Sequence, residues 1–336
     1  SVEYTISLDN PVDRAVDVDV DLTVTELNGN GEDDFNSTTA FNGGGANPFT
    51  LNFATEVTSM SYTFSFKDSE MVEDDEDYIV TLENVSVNMG TNSVANAVRL
   101  NDTPADNIVT TTIEDDDRAY ITLNANQSED ESVGTVTLTA TLNGAVEEGI
   151  TVDWDLNDVT TTYNVDYTHA ATGTFSFTTG TNSVGYVEAE TITITIVDDK
   201  VVELDESFTI DLADASVDAG GRNVHTGSAG TNANDADVSS TVTIENNDAV
   251  TVNITAATSA PEDASDTQDF TVTLLDGGDN STTVDVDFDV TYVIADNTTE
   301  DEDWDPNSGN TGTVTFTVGS LTQTFSIDIL DDLIVE

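Results

Sequence analysis

The sequence predicts an all-β protein made of tandem seven-stranded antiparallel β-sandwiches, immunoglobulin-like and joined end to end. Three observations lead to this prediction. Apolar and polar residues alternate in many short segments, as at residues 16–22, which is typical of strands with one buried face. Thr and Val favour strands, and the abundant Asn, Asp and Gly favour turns. An acidic motif also recurs at a nearly constant spacing.

The recurring motif is a short acidic loop that follows an alternating segment. It reads Asp-Asp-Lys-Val-Val-Glu at residues 198–203 and Asp-Asp-Leu-Ile-Val-Glu at 331–336, which is 133 residues later. A weaker copy, Asp-Ser-Glu-Met-Val-Glu at 68–73, lies 130 residues before the first. A period of this length matches a domain with its own core rather than a solenoid unit. We therefore expect three repeats, at residues 1–117, 118–248 and 249–336.

The second repeat contains all seven predicted strands, and the other two are incomplete. The strands are expected at residues 120–123, 135–142, 150–156, 173–178, 186–197, 207–212 and 241–244. An acidic bend at 128–131 separates the first two, and Asn143-Gly144 is expected to begin a hairpin turn into the third. The first repeat lacks its opening strand, and the third lacks its last two.

Incomplete sandwiches would leave strand edges and core residues uncovered. We therefore expect this sequence to belong to a longer repetitive protein. Exchange of strands between neighbouring subunits is an alternative.

The charge of the chain restricts its partners. The formal net charge is -61, from 6 Lys and Arg against 67 Asp and Glu. Repulsion excludes nucleic acid and anionic membranes as partners, and no apolar run approaches the roughly 20 residues that span a bilayer. Self-repulsion of this size opposes folding unless salt or bound cations screen it. A salt-adapted surface and bound divalent ions both fit this charge.

A series of segments in the second repeat surrounds its acidic loop, at residues 166–167, 173–177, 194–199 and 203–208. Acidic closing strands follow at 109–117 in the first repeat and at 241–248 in the second. Together these segments resemble the Calx-beta domain, known from sodium–calcium exchangers and large bacterial adhesins, and the resemblance covers essentially the whole chain. It implies a seven-stranded sandwich that can bind calcium at one end.

Calcium takes six to eight oxygen ligands and favours carboxylates. No loop here has EF-hand spacing, so the ligands have to converge from several loops. In the second repeat the candidates are Glu131, Asp158, Asp198, Asp199 and Glu203. The resemblance implies further ligands from the closing acidic run. In the second repeat this run keeps only Asp248 of three acids, because Asn246 and Asn247 replace the others, so we expect weaker binding there.

The other repeats offer related candidates. In the first repeat they are Asp68, Glu73, Asp115, Asp116 and Asp117. In the third repeat they are Glu262, Asp331, Asp332 and Glu336. The alternative is a Calx-beta fold whose acidic loops hold no ion.

The predicted function is that of an extracellular or cell-surface structural protein, such as a calcium-stiffened shaft, adhesin stalk or filament subunit. Its partners would be calcium ions and neighbouring repeats or subunits of the same protein. The alternatives are a calcium-dependent binding module and a non-catalytic accessory region of a secreted enzyme. We expect no enzyme, because His169 and His225 fall in predicted loops and no nucleophile elbow, phosphate-binding loop or zinc pattern occurs.

Overall fold

The computed structural model describes residues 1–13, 15–25, 49–64, 69–87, 98–181, 183–227, 237–256, 267–275, 283–295, 304–305 and 310–330. The regular structure of these residues is β-strand, apart from short 3-10 turns at Pro104–Asn107, Glu131–Val133 and Asp214–Ser216. The predicted all-β class is therefore confirmed. No helix in the described part of the chain has the length and hydropathy needed to cross a membrane.

The strands are numbered in chain order. The first repeat has β1 (Val2–Ser7), β2 (Val16–Thr25), β3 (Phe49–Phe53), β4 (Ser59–Phe64), β5 (Met71–Val72), β6 (Glu76–Val87) and β7 (Ile108–Ile113). The second has β8 (Ala119–Leu123), β9 (Gln127–Asp130), β10 (Thr135–Asn143), β11 (Ala145–Val146), β12 (Ile150–Asp158), β13 (Tyr167–Thr168), β14 (Thr172–Phe177), β15 (Val187–Ile196), β16 (Val201–Val202), β17 (Glu206–Leu212), β18 (Val224–Thr226) and β19 (Val238–Glu245). The third has β20 (Thr251–Ala256), β21 (Thr267–Leu275), β22 (Thr283–Val284), β23 (Phe288–Val293), β24 (Trp304–Asp305), β25 (Thr311–Phe316) and β26 (Thr322–Ile329).

The second repeat is a sandwich of two five-stranded sheets, with strand orders β13-β15-β10-β8-β18 and β14-β12-β17-β19-β9. Each sheet turns one face inward, as the alternation predicts. In β10 the buried side chains are Val136, Leu138, Ala140 and Leu142, while the residues between them point outward. Trp154 of β12 joins the same core and is 4% exposed.

Two connections of the second repeat differ from the prediction. Residues 128–131 do not form only a bend, because β9 pairs in parallel with β19 before Glu131 begins a 3-10 turn. Asn143-Gly144 does not begin a hairpin, because β10 and β12 lie in different sheets. Gly144 takes a φ of 112° and passes close to Ala119, which directs the chain across the sandwich.

The first and third repeats have their own cores. The first has sheets β1-β4 and β3-β2-β6-β7, and the third has β20-β21-β26-β24 and β23-β25. Val16 and Phe53 are fully buried in the first core, and Phe316 is fully buried in the third. The boundaries at residues 117 and 248 stay predictions.

Both junctions between repeats contain a two-residue parallel strand pair. In β5 and β11, Met71 is paired with Ala145 and Val72 with Val146. In β16 and β22, Val201 is paired with Thr283 and Val202 with Val284. The apolar residues of the acidic loops in the first two repeats thus add a short strand to the repeat that follows.

The second residue of each added strand is a valine that packs into the core of the following repeat. Val72 is 1% exposed and belongs to the core of the second repeat. Val202 packs against the core of the third repeat. The backbone N–H groups of Glu147 and Asp285 donate to the carbonyl oxygens of Val72 and Val202, each at 3.0 Å. The acidic loop is therefore a structural tie between repeats.

The substitution Val72→Ala is expected to destabilise the second repeat, although residue 72 belongs to the first. Loss of buried methyl groups and the cavity left behind cost about 2 kcal/mol. Urea unfolding followed by hydrogen exchange of β10 and β12 measures this loss. The control Val184→Ala, at a side chain 82% exposed in the second repeat, should change stability by less than about 0.5 kcal/mol. A loss confined to β1–β7 would contradict the assignment of Val72 to the next core.

Candidate metal centre

Carboxylates from several loops meet at the end of the second repeat where the third repeat begins. They form two groups, Glu131 with Asp199 and Asp248, and Asp166 with Glu203 and Glu206. Within each group, one oxygen atom from each of the three carboxylates lies within 4.8 Å of the other two. The end of the sandwich therefore concentrates negative charge at the junction.

The first group joins three separate parts of the chain. Glu131 begins the 3-10 turn after β9 and is 5% exposed. Its Oε1 accepts a hydrogen bond from the backbone N–H of Asp199 at 3.2 Å. The Oδ1 of Asp199 in turn accepts from the N–H of Val201 at 2.7 Å. Asp248 ends the closing run, and its N–H donates to Oδ1 of Asn246 at 3.3 Å.

Burial raises the pKa of Glu131, and the charges of Asp199, Asp248 and Asp198 raise it further. The hydrogen bond from the Asp199 N–H opposes this shift, because it stabilises the ionised carboxylate. Glu131 therefore sits where its own negative charge is disfavoured unless a proton or a cation balances it.

The second group lies beside the first, across a small cleft. Glu131, Asp166, Glu203, Glu206 and Asn246 supply the polar lining of this cleft. Asp166 is fixed by the N–H of Thr162, which donates to its Oδ2 at 2.5 Å. Glu203 follows β16, and Glu206 begins β17.

Burial raises the pKa of Glu203 to about 7 and that of Glu206 to about 8. After burial, Asp166 is the next largest cause of the raised pKa of both glutamates. It also shares a side-chain hydrogen bond with Glu206 that favours the protonated form of Glu206. Asp285, from the third repeat, raises both pKa values as well. The second group is therefore coupled electrostatically to the next repeat.

The donor atoms suit a hard cation. Both groups consist of carboxylates, with no His or Cys among their members. Calcium prefers such oxygen ligands, whereas zinc and other transition metals favour sites with imidazole or thiolate. The residues present therefore fit a calcium site made from separate loops.

The structure brings together four of the six sequence-predicted residues of the second repeat, namely Glu131, Asp199, Glu203 and Asp248. Asp198 is exposed, and its Oδ1 accepts from Nδ2 of Asn247 at 3.4 Å. Asp158 belongs to neither group. Its Oδ1 accepts from the hydroxyl of Tyr167 at 2.8 Å, so it orders the loop before β13 instead.

Sequence reasoning missed Asp166, Glu206 and Asp285. Asp166 and Glu206 lie in the segments that carry the family resemblance, but only their convergence in space identifies them as candidate ligands. Glu206 had a local signal, because it lies three residues after Glu203 at the start of a strand. No local sequence signal pointed to Asp285, because it belongs to another repeat.

In the first repeat the structure places Glu73 next to Asp115. The backbone N–H of Glu73 donates to the Asp115 carboxylate, and the N–H of Asp115 donates to Oδ1 of Asp75 at 3.0 Å. Burial raises the pKa of Asp115 to about 6, and Asp117 and Asp116 add repulsion. Asp116 itself is exposed.

The closing runs of the first two repeats make the same backbone contact. The N–H of Asn246 donates to Oδ1 of Asp205 at 3.2 Å, as that of Asp115 does to Asp75. Asn246 therefore occupies the position of Asp115. The remaining predicted residues lie outside the described part of the chain, and they are Asp68, Glu262, Asp331, Asp332 and Glu336.

Comparison with known proteins gives one family match. The model of the Calx-beta domain matches residues 114–237 and 245–336. A search of curated proteins found no match.

Among solved structures, the apo form of the Calx CBD1 domain is similar, with 20% identity and a TM-score of 0.31 over 39% of this chain and 100% of that one. CBD12 from CALX1.2 has 19% identity and a TM-score of 0.31 over 63% of this chain and 76% of that one. The class 5 fimbriae chaperone CfaA has 8% identity and a TM-score of 0.24, over 64% of this chain and 94% of that one. These TM-scores are well below 0.5, so the family assignment depends on the family-model match.

Without metal, the second repeat is expected to lose stability as the pH rises from about 5 to about 8. Glu203 and Glu206 titrate near 7 and 8 in the folded state but near about 4.3 when unfolded. The folded state therefore binds more protons in this interval, and the free energy of unfolding falls with increasing pH. Urea unfolding in chelator at several pH values measures the slope.

The double variant Glu203→Gln/Glu206→Gln should have a flatter profile. The matched control Asp153→Asn/Asp155→Asn removes two charges from the exposed face of β12 and should keep the original slope. A wild-type profile that is flat or rises with pH would refute the expected linkage.

Proposed function

Because the chain belongs to the Calx-beta domain family, a family of calcium-binding modules, we propose that the carboxylate groups of the second repeat hold calcium. One observation carries this proposal. Glu131, Asp199 and Asp248 come from separate loops, yet their oxygens lie within 4.8 Å of one another. A divalent cation removes the repulsion that such an approach creates.

The role that we propose is structural. The chain would act as an extracellular or cell-surface shaft, adhesin stalk or filament subunit whose tandem repeats are stiffened by calcium. The position of the acidic groups supports this role, because Glu203 directly follows β16, the strand that joins the third repeat. A cation at this end lowers the repulsion between Glu203, Glu206 and Asp285, and so favours the contact between repeats.

The surroundings of the two histidines support a non-catalytic role. The ring of His169 packs 5.3 Å from that of Trp154, and its Nδ1 contacts the carbonyl oxygen of Ala170 at 2.9 Å. His225 lies in β18 rather than in the predicted loop, and its Nδ1 is 3.2 Å from Oδ2 of Asp214. Both rings thus serve local packing and hydrogen bonding.

Calorimetric titration with calcium is expected to show binding with a dissociation constant on the order of 0.1–1 mM, as in other extracellular modules. Glu131→Gln/Asp199→Asn should lower the number of ions bound, while Asp153→Asn/Asp155→Asn should leave it unchanged. Excess chelator should lower the melting temperature of the wild type. Absence of binding heat together with identical melting curves in calcium and chelator would overturn the proposal.

The double variant Asn246→Asp/Asn247→Asp restores the triple acid of the first repeat. We expect calcium affinity of the second repeat to rise by at least about tenfold, because ligand charge tunes such sites over several decades. In chelator the variant should be less stable. The reason is that Nδ2 of Asn247 now donates to Asp130 at 3.1 Å and to Asp198 at 3.4 Å, and a carboxylate would repel both. The same titration and melting curves test this expectation, and unchanged affinity would show that positions 246 and 247 supply no ligand.

A further inference from the structure

We propose that Arg222 is a permanent counter-ion at the first junction, and that its charge lets the second repeat hold β5 without a bound metal ion. The positive charge belongs to the chain itself, so this role stands independently of calcium binding. The chain has only 6 Lys and Arg residues. Arg222 brings one of them, with its side chain buried, to the segment of the second repeat that receives β5.

The connection between β17 and β18 carries Arg222 to the junction. The two glycines that precede it take φ angles of 68° and 106°, in the region that favours glycine. Beyond it, Nδ2 of Asn223 donates to the carbonyl oxygen of Asp117 at 3.0 Å, and the N–H of Ala119 donates to the carbonyl oxygen of Asn223 at 3.2 Å. β18 then pairs in parallel with β8. These contacts fix the connection at the start of the second repeat without using the side chain of Arg222.

The guanidinium of Arg222 is charged and yet buried. Its side chain is 3% exposed, and its Nε–H has no hydrogen-bond partner among the residues that the structure describes. Nη1 donates to Oε2 of Glu148, and Nη2 donates to the carbonyl oxygen of Glu148, both at 3.5 Å. These bonds are long and the Glu148 side chain is 63% exposed, so they offset little of the cost of burying a charge. A buried charge of opposite sign offsets more of this cost.

Glu147 supplies this opposite charge and also holds the first repeat. It is 6% exposed. Its N–H donates to the carbonyl oxygen of Val72, and its carboxylate accepts a hydrogen bond from the backbone N–H of Asp74. Burial raises the pKa of Glu147, and the charges of Asp74 and Glu148 raise it further, whereas the charge of Arg222 is the largest influence that lowers it. Arg222 therefore favours the ionised carboxylate, which is the stronger acceptor for the bond from the first repeat.

Loss of the Arg222 charge should therefore loosen the junction rather than unfold the second repeat. Glu147 would then take up a proton or turn toward water, and either change weakens its bond to Asp74. A role limited to packing of the Arg222 stem predicts a different result, because the stem would then matter and the charge would not. Variants that change charge and shape separately distinguish the two roles.

Amide hydrogen exchange in chelator tests the proposal. The N–H of residue 147 reports on the closed junction, because it donates to Val72, and the N–H groups of β10 and β15 report on the folded second repeat. Arg222→Gln is expected to lower the protection of the residue 147 N–H at least about tenfold through local opening. The protection of β10 and β15 should change much less. Arg222→Lys retains the charge and should retain most of the protection.

A double-mutant cycle shows whether the charge of Arg222 acts on Glu147. Glu147→Gln removes the negative charge, so the double variant Arg222→Gln/Glu147→Gln has no carboxylate that requires a counter-ion at this position. Its loss of protection should be clearly smaller than the product of the losses in the two single variants. If Arg222→Gln alone prevents folding, restored folding in the double variant supports the proposal, and failure of the double variant to fold overturns it.

The matched control is Arg99→Gln, which removes the same charge from an ion pair with Asp102 whose side chains are 70% and 77% exposed. It should leave the protection of the residue 147 N–H unchanged. Unchanged protection in Arg222→Gln, equal losses in Arg222→Gln and Arg222→Lys, or independent losses in the cycle would overturn the proposal. Wild-type protection that appears only after calcium is added would also overturn it. The calcium titration is decided separately, because it concerns residues at the other end of the second repeat.

Discussion

The burial of carboxylates at the junctions, together with the repulsion between them, is the constraint on which the rest of the structure depends. Burial and neighbouring acids raise the pKa values of Glu131, Glu203, Glu206 and Asp115, all of which lie where one repeat meets the next. The ends of the sandwiches where repeats meet therefore disfavour negative charge. Any proton or cation that neutralises them acts at the same place as the strand that joins two repeats.

The sandwich could be predicted because it depends on local patterns. Alternation in β10, β12 and β15 requires only that one face of each strand be buried, and the strands of the second repeat lie close to their predicted positions. The core position of Trp154 follows from the same alternation. Four candidate ligands could also be predicted, because each belongs to an acidic segment that marks the end of a strand.

The remaining features depend on contacts between distant residues. Val72 lies between Glu70 and Glu73, so the sequence predicts that it is part of a polar loop. In the structure it is buried in the core of another repeat. β9 pairs with β19 across more than a hundred residues, which no local pattern indicates. Asp166 and Glu206 join the site only through the meeting of separate loops, and Asp285 acts on it from another repeat through its charge. Asn247 was predicted to weaken a metal site, but its hydrogen bonds to Asp130 and Asp198 could not be foreseen.

The valine that each repeat contributes to its successor gives the array a direction. If the first repeat unfolds under tension, Val72 is withdrawn and the second repeat loses part of its core, and Val202 connects the second to the third in the same sense. The reverse does not hold, because, among the residues that the structure describes, the core of the first repeat contains none from the second. Mechanical failure should therefore spread toward the carboxyl end, so a protein of this kind resists pulling best when its amino-terminal repeats are the most firmly held.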